Sequence, residues 1–277
     1  NHSYYYKTML SRVISKRSLY TAPEFTATVL PPVYKTQEQF DLVRKNQHAH
    51  LVNQLNAKVC QTKLEPLTPY QIMEKIRDDK SKASLFNTCS HLINNHLFIT
   101  NIIPSGEVIE ENIVQQRLLD HYQVGSMDEV IEKMVTAMND SIIGQGFCFI
   151  IEDANGDIVP IFSNNAGTVI ADSLDLKYMD VDLNGGLLGV KDYLKLYDRM
   201  HNIKRSLNRK EKDKRNNVFG SKEGKIEGSH NRILACVNLW DYAFIKDYGI
   251  GYKAREEYFV NCLKNLNWEV INQRYNF

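Results

Sequence analysis

Residues 144–164 contain the sequence G-Q-G-F-C-F-I-I-E-D-A-N-G-D-I-V-P-I-F-S-N, and this stretch decides the fold class. Two apolar runs of strand length, residues 147–152 and 158–164, flank the turn-forming loop D-A-N-G-D. Runs of this length joined by such a loop predict a β-hairpin. A third apolar run at 233–237 predicts another strand, so we expect a small sheet in the second half of the chain.

Helical patterns precede this sheet. Residues 37–59 carry apolar side chains at mostly three- and four-residue spacings, which predicts one long helix with room for a kink. A second helix is predicted from about residue 84 to 102, since Pro104 disfavours helix immediately before it. With a short helix at 70–76 between them, these segments predict an N-terminal helical hairpin.

Further helices are expected around the sheet. Residues 107–122 form one helical pattern, and Ser126 with Glu129 forms a capping-box signature that opens another through residue 137. The predicted terminal helices cover 256–267 and 268–274. The fold class is therefore α+β: a helical hairpin domain at 23–103, then an α/β domain at 104–277 with a three-stranded antiparallel sheet.

Composition excludes several classes of protein. The chain has 277 residues, of which 43% are hydrophobic and 24% charged, which suits a globular protein with a substantial core rather than a disordered one. No apolar run approaches the roughly 20 residues that a membrane-spanning helix needs. Five widely spaced cysteines without a C-x-x-C motif predict buried free thiols in a reducing compartment.

Positive charge is concentrated in one segment, although the net charge is only +1. Residues 199–225 contain 10 Lys/Arg against 3 acids, which leaves 24 against 30 elsewhere. This segment lies in a predicted insertion at about 184–231 and favours phosphate contacts with RNA. The alternatives are a solvated loop that binds nothing and a protein-binding loop. The candidate RNA-binding residues are Lys204, Arg205, Arg209, Lys210, Lys212, Lys214 and Arg215.

The beginning of the chain has the composition of a mitochondrial targeting segment. Four cations and no acid precede Glu24, and apolar residues from Leu10 to Leu19 can share one helical face. We therefore predict targeting by residues 1–22 and a location in the mitochondrial matrix. The alternative is a basic tail without a role in import.

Seven short motifs, in order and at compatible spacing, resemble the iron/manganese superoxide dismutase family. They include V-N-Q-L-N at 52–56, G-Q-G-F-C-F at 144–149 and N-L-W-D-Y-A-F at 238–244. The others are V-L-P-P at 29–32, G-S-M-D-E at 125–129, N-A-G-T at 165–168 and N-W-E-V-I-N-Q-R-Y at 267–275. The resemblance implies the dismutase fold, which has a helical hairpin followed by an α/β domain.

The same resemblance implies that the metal ligands are lost. The three histidines and one aspartate of the family fall here on Val43, Asn95, Tyr242 and Asn238. An aliphatic group, two carboxamides and a phenol do not bind a redox metal as imidazoles and a carboxylate do. We therefore expect no cofactor and no enzyme activity. The alternative is a mitochondrial superoxide dismutase or repurposed metalloenzyme with an atypical metal site.

A chain of this kind resembles the superoxide-dismutase-like proteins of the fungal mitochondrial small ribosomal subunit. The resemblance implies a noncatalytic structural component that contacts small-subunit rRNA and neighbouring ribosomal proteins. It also implies a heterodimer with a related dismutase-like subunit, through a surface that includes Asp241, Tyr242 and Tyr248. For these three residues, ordinary packing is the alternative. A free mitochondrial regulatory or chaperone-like binder remains a third reading of the function.

Overall fold

A computed structural model describes residue 20 and residues 29–104, 112–153, 155–169 and 231–276. The predicted targeting segment therefore lies outside the described residues except for Tyr20. The predicted basic insertion lies outside them apart from its last residue, Asn231. Among the described residues, no helix is both long and apolar enough to cross a membrane.

The first long helix, α1, runs through residues 37–59 as predicted, but its middle is a π-helix. An α-helical turn at Gln37–Asp41 is followed by the π-helical segment Leu42–Gln47 and then by the α-helix His48–Val59. Thr36 caps the start, because its side chain accepts a hydrogen bond from the backbone N–H of Gln39. The π segment widens the helix locally and changes which residues share its buried side.

Two further helices follow, and both α1 and the shorter of the two pack on the longer one. Helix α2 is Pro69–Ile76, with a complete capping box between Thr68 and Gln71. Helix α3 is Ala83–Ile102 and ends two residues before Pro104. Most of α3 is buried, including polar residues that hydrophobic periodicity alone does not place in a core. Both the short helix and the long one were predicted to within a residue at each end.

Two helices connect α3 to the sheet. Helix α4 is Ile113–Tyr122, and not a single helix over 107–122 as predicted, because Asn112 caps its start by accepting from the N–H of Gln115; residues 107–111 lie outside the described residues. Helix α5 is Met127–Ser141, four residues longer than predicted. Ser126 caps α5, because its hydroxyl accepts from the N–H of Glu129. The same hydroxyl donates to the Glu129 carboxylate at 2.9 Å. In a complete capping box, that carboxylate would accept from the backbone N–H of Ser126.

The sheet has three antiparallel strands in the order β2-β1-β3. These are β1 Gly146–Glu152, β2 Ile158–Asn164 and β3 Arg232–Asn238. Asp153 stabilises the hairpin loop, because its Oδ1 accepts from the N–H groups of Asn155 and Asp157. The predicted hairpin and third strand are confirmed. The predicted combination of helices with a three-stranded antiparallel sheet is confirmed as well.

The central strand β1 is buried on both faces, so helices cover the sheet on either side. Cys148 and Ile150 belong to a first core with α4, α5 and the C-terminal helices. Phe147 and Phe149 belong to a second core with α2 and parts of α1 and α3. Because both cores contain residues from before and after position 104, the two predicted regions pack as one body.

The chain ends in three helices: α6 Ile245–Tyr248, α7 Tyr252–Lys264 and α8 Trp268–Asn276. Helix α7 starts four residues earlier than predicted, directly after Gly249 and Gly251, whose positive φ angles separate it from α6.

Helix α8 is fastened by the buried Arg274. The guanidinium donates to Asn101 Oδ1 at 2.6 Å, to the Leu234 carbonyl and to the Thr100 hydroxyl, which ties α8 to α3 and β3.

Four cysteines are buried free thiols as predicted, whereas Cys60 is exposed, because it caps the end of α1 at the surface.

Candidate functional site

Three segments bring the four predicted ligand positions together. Val43 lies in the π-helical segment of α1, Asn95 in the middle of α3, and Asn238 ends β3. Tyr242 lies in a 3₁₀ turn, Asp241–Ala243, that follows the strand. The side chain of Asn238 accepts the backbone N–H of Trp240 at 2.9 Å, which turns the chain towards α3. That positions 43, 95, 238 and 242 correspond to the metal ligands of the dismutases stays a prediction.

These residues form a hydrogen-bonded network, which we call the interior cluster: Val43, His48, His91, Asn95, Asn238 and Tyr242. Asn238 Nδ2 donates to Asn95 Oδ1 at 3.0 Å and to the Tyr242 hydroxyl at 2.7 Å. The Tyr242 hydroxyl is also 3.3 Å from Asn95 Oδ1. Asn95 Nδ2 lies 3.4 Å from the Val43 carbonyl oxygen, so α1 contributes a backbone acceptor here and not a side-chain donor atom.

Two histidines border the interior cluster. His91 Nε2 lies 2.8 Å from the Tyr242 hydroxyl, and its ring packs against Trp240 with a centroid distance of 4.4 Å. His48 Nδ1 lies 3.4 Å from Asn95 Nδ2. Burial lowers the pKa of both histidines to about 4, so both rings are neutral near pH 7.

Every member of the interior cluster is neutral near pH 7. Burial raises the pKa of the Tyr242 phenol well above its usual value, so a tyrosinate does not form readily. The amides of Asn95 and Asn238 carry no charge, and both residues are fully buried. The low-dielectric interior therefore contains hydrogen bonds without an anionic group that would offset the charge of a cation.

The donor set does not fit iron or manganese. The resemblance to dismutases implies a redox metal held by three imidazoles and a carboxylate, but here the corresponding groups are engaged with one another. The amide oxygen of Asn95 accepts from Asn238, and that of Asn238 accepts a backbone N–H. Within the part of the chain that the structure describes, no group of three or more His, Cys, Asp or Glu residues is arranged to hold a metal ion.

The place of His48 was not predicted from the sequence. On a regular α-helix the side chains of Val43 and His48 point in different directions, but the intervening π-helical segment changes the rotation between them. The backbone carbonyl of Val43 and the ring of His48 both reach the amide of Asn95. Nothing in the residue types of 42–47 signals this extra width. His91, by contrast, lies on the same face of α3 as Asn95, as its spacing predicts.

The predicted partner-interface residues are divided by the structure. Tyr242 turns its hydroxyl into the interior cluster, while the exposed Asp241 accepts from Gln145 Nε2 at 3.1 Å. The Tyr248 hydroxyl donates to the Val33 carbonyl and accepts from Asn261, which ties it into the fold. The loop that contains Gln145 also contains Ile143, whose side chain is 86% exposed.

The seven candidate RNA-binding residues, Lys204 to Arg215, lie outside the described residues. Their proposed role therefore depends on the composition of the segment. The described residues that flank residues 170–230 lie together, because Asn231 Nδ2 is 3.5 Å from the Val169 carbonyl oxygen.

Comparison with known proteins supports the resemblance drawn from the motifs. The chain is 23% identical to the small ribosomal subunit protein mS42 of Schizosaccharomyces pombe over 258 residues, which cover 90% of this chain and 93% of that protein. It is 27% identical to an iron superoxide dismutase of Synechococcus elongatus over 147 residues, or 53% of this chain and 71% of the enzyme. No family model matches.

These findings confirm the resemblance to a dismutase-like ribosomal protein. One relative is a ribosomal protein that aligns along nearly the whole chain, and the other is a dismutase that aligns along about half of it. The likeness to the dismutase places the helices and three-stranded sheet in a distant relation to that enzyme fold.

Proposed function

We propose that this chain is a noncatalytic structural component of the mitochondrial small ribosomal subunit. The observation that carries the proposal is the similarity to mS42 along 90% of the chain. The alignment covers almost the entire length of that ribosomal relative, so the similarity is not confined to one part of the fold. The same similarity supports a location in the mitochondrial matrix, within the small subunit.

The chemistry of the interior cluster supports a role without catalysis. Dismutation needs a metal that alternates between two oxidation states, and the protein must supply ligands that hold both of them. Neutral amides, a protonated phenol and a backbone carbonyl are unsuited to that task. The likeness to an iron superoxide dismutase favours a metalloenzyme as the second candidate, but that candidate would have to bind its metal with other residues.

We further propose that the fold follows the dismutase arrangement, with a helical hairpin at 23–103 and an α/β domain at 104–277. The packing of α1 on α3 and the covering of one sheet face by both support this arrangement. The targeting segment was predicted to cover residues 1–22, and we propose that cleavage falls just before Tyr20, earlier than that prediction. The N–H of this residue donates to Asn56 Oδ1 at 3.0 Å, and its carbonyl accepts from Asn56 Nδ2, which favours its retention in the folded protein.

The partners proposed for this component are small-subunit rRNA, other small-subunit proteins and a related dismutase-like subunit. A heterodimer would form on the surface around Asp241 and Tyr248, where the exposed Ile143 adds apolar area. The resemblance to the dismutases implies a glutamate and a histidine that pair across a symmetric dimer at the positions of Asp241 and Tyr242, and an aspartate and a tyrosine cannot form that reciprocal pair. This change favours a different partner over a second copy of the chain.

Sedimentation tests the proposed function. The full chain, tagged and expressed in mitochondria, is expected to migrate with small-subunit rRNA in a gradient at low salt. Ribonuclease treatment of the same extract is expected to shift it towards the top, because the particle is then dismantled. A chain that stays at the top before ribonuclease treatment, while other small-subunit proteins migrate with the rRNA, would contradict the ribosomal assignment and favour the free binder.

The proposed RNA contacts of the basic segment predict a change in salt sensitivity. Replacing Lys204, Arg205, Arg209 and Lys210 by glutamine removes four cations that release counterions when they contact phosphates. In a plot of the logarithm of the association constant against the logarithm of the salt concentration, the negative slope should become shallower by up to about 3. The measurement is a series of gradients from low to high salt.

A matched variant controls for the change in total charge. It carries glutamine at four exposed lysines elsewhere, Lys63, Lys75, Lys80 and Lys133. This control should keep the original salt slope. Unchanged cross-links between the basic segment and RNA in the first variant would reject the proposed contacts, and a large drop in melting temperature would assign the segment to the fold itself.

A further inference from the structure

A groove runs along the surface between helices α5 and α7. The two helices are antiparallel: Lys264 Nζ lies 3.4 Å from Asp128 at one end, and Asn139 donates to Glu256 at 2.5 Å towards the other. The groove has a volume of about 870 Å³, and its floor includes the apolar side chains of Ile131, Val135 and Val260. Such a groove between two antiparallel helices, with three apolar side chains in its floor, is a kind of surface on which an amphipathic helix packs.

The rim of this groove is acidic. Four carboxylates and two lysines line it, and Lys35 pairs with one of these carboxylates, Glu257, at 3.1 Å, which leaves a net charge of −1. Among the described residues, the carboxylate of Glu132 has no ion-pair partner, and it projects from an exposed position in the middle of α5. A surface with this charge repels the phosphates of RNA and attracts lysine and arginine. The groove thus differs in chemistry from the basic segment.

We propose that the α5–α7 groove binds a basic amphipathic helix of another protein. Apolar side chains on one face of that helix would pack on Ile131, Val135 and Val260, and flanking lysines or arginines would pair with Glu132 and Glu256. The excess of carboxylates disfavours RNA as the occupant, and the apolar floor favours an apolar face on the partner. The inference goes beyond the proposed function, because the groove would bind such a helix in any assembly.

The chain's own basic stretches fit the groove less well. Residues 199–225 are rich in charge but poor in large apolar groups, so they lack an apolar face for the floor. The segment before Tyr20 is predicted from its sequence to have an apolar face, but Tyr20 itself bonds to Asn56 and packs on the second core, whereas the groove lies over the first. A helix from a neighbouring protein is the occupant that satisfies both the charge and the apolar requirement.

Site-specific photo-cross-linking of the full chain in cells tests this proposal. p-Benzoylphenylalanine in place of Thr136, an exposed residue that lines the groove, should cross-link to a protein segment. Mass spectrometry of the cross-linked peptide should show apolar residues on one helical face with lysine or arginine beside them. The same probe at Lys75, on the exposed side of α2, serves as the control site.

Reversing the charge of two groove carboxylates provides a second test of the proposal. With the probe at Thr136, the double variant Glu132→Lys and Glu256→Lys should lower the cross-linked fraction about tenfold, since like charges then face each other. Glu74→Lys with Asp78→Lys, two exposed acids near α2, should leave the yield unchanged. Equal melting temperatures of the two double variants would show that both fold.

Each other outcome overturns the proposal. These outcomes are a cross-link to RNA, a cross-link to this chain's own residues, a partner peptide without basic residues, a yield at Thr136 no higher than at Lys75, and a yield that survives the reversal at Glu132 and Glu256. Sedimentation of the same cells reports separately on the ribosomal assignment, so failure of one does not imply failure of the other.

Discussion

Replacing Asn238 by aspartate is expected to lower the free energy of unfolding by about 3 to 5 kcal/mol at pH 7. The substitution restores the residue type that the dismutase family uses at this position, yet it places a carboxylate in a fully buried neutral cluster. Asn238 Nδ2 now donates to Asn95 and Tyr242, and an oxygen at that place cannot donate. Urea unfolding at pH 7 measures the change.

A control and an addition sharpen this prediction. Asn53→Asp makes the same chemical change at an exposed position of α1 and should alter stability by less than about 0.5 kcal/mol. Adding Mn²⁺ should not rescue the Asn238→Asp variant, because one carboxylate among amides and a phenol is an incomplete ligand set. A variant as stable as the original chain would contradict the expected penalty, and one that Mn²⁺ stabilises would show that the interior cluster can bind a cation.

Acidification from pH 7.5 to 4.5 is expected to destabilise the fold through His48 and His91. Burial lowers the pKa of each to about 4 in the folded protein, against about 6.5 in an unfolded chain. Between these values the unfolded state binds more protons, so stability is full above pH 6.5 and is lost as the pH falls towards 4. The loss is on the order of 3 kcal/mol for each histidine.

Two glutamine variants test this assignment by urea unfolding at both pH values. His91→Gln keeps a group that can hydrogen-bond to Tyr242 but cannot take up a proton, so it should remove about half of the pH-dependent loss. His121→Gln changes an exposed histidine and should leave the loss unchanged. Asp41, whose pKa is lowered to about 2 by hydrogen bonds from Lys45 and Arg44, contributes only below this range. Equal pH dependence in both variants would contradict the assignment.

Local sequence signals predicted much of the fold. The hairpin followed from two apolar runs around D-A-N-G-D, and the end of α3 followed from Pro104, because both signals act within a few residues. The early start of α7 was missed, since it depends on the positive φ angles of Gly249 and Gly251, which glycine permits but does not require.

Long-range contacts could not be predicted in the same way. The bond between Arg274 and Asn101 joins residues 173 positions apart, and neither residue type indicates a buried partner. The approach of His48 to Asn95 depends on the π-helical segment of α1, which follows from packing and not from the composition of L-V-R-K-N-Q. The resemblance supplied the positions 43, 95, 238 and 242, and the structure supplied the hydrogen bonds among them.

The metal content and superoxide turnover of the full chain purified from mitochondria test the account most directly. Because the interior cluster is neutral and internally hydrogen-bonded, the purified protein should contain far less than one iron or manganese ion per chain and should remove superoxide no faster than a matched sample of unrelated protein. A tightly bound redox ion at close to one per chain, together with rapid superoxide loss that disappears when the ion is removed, would contradict the account.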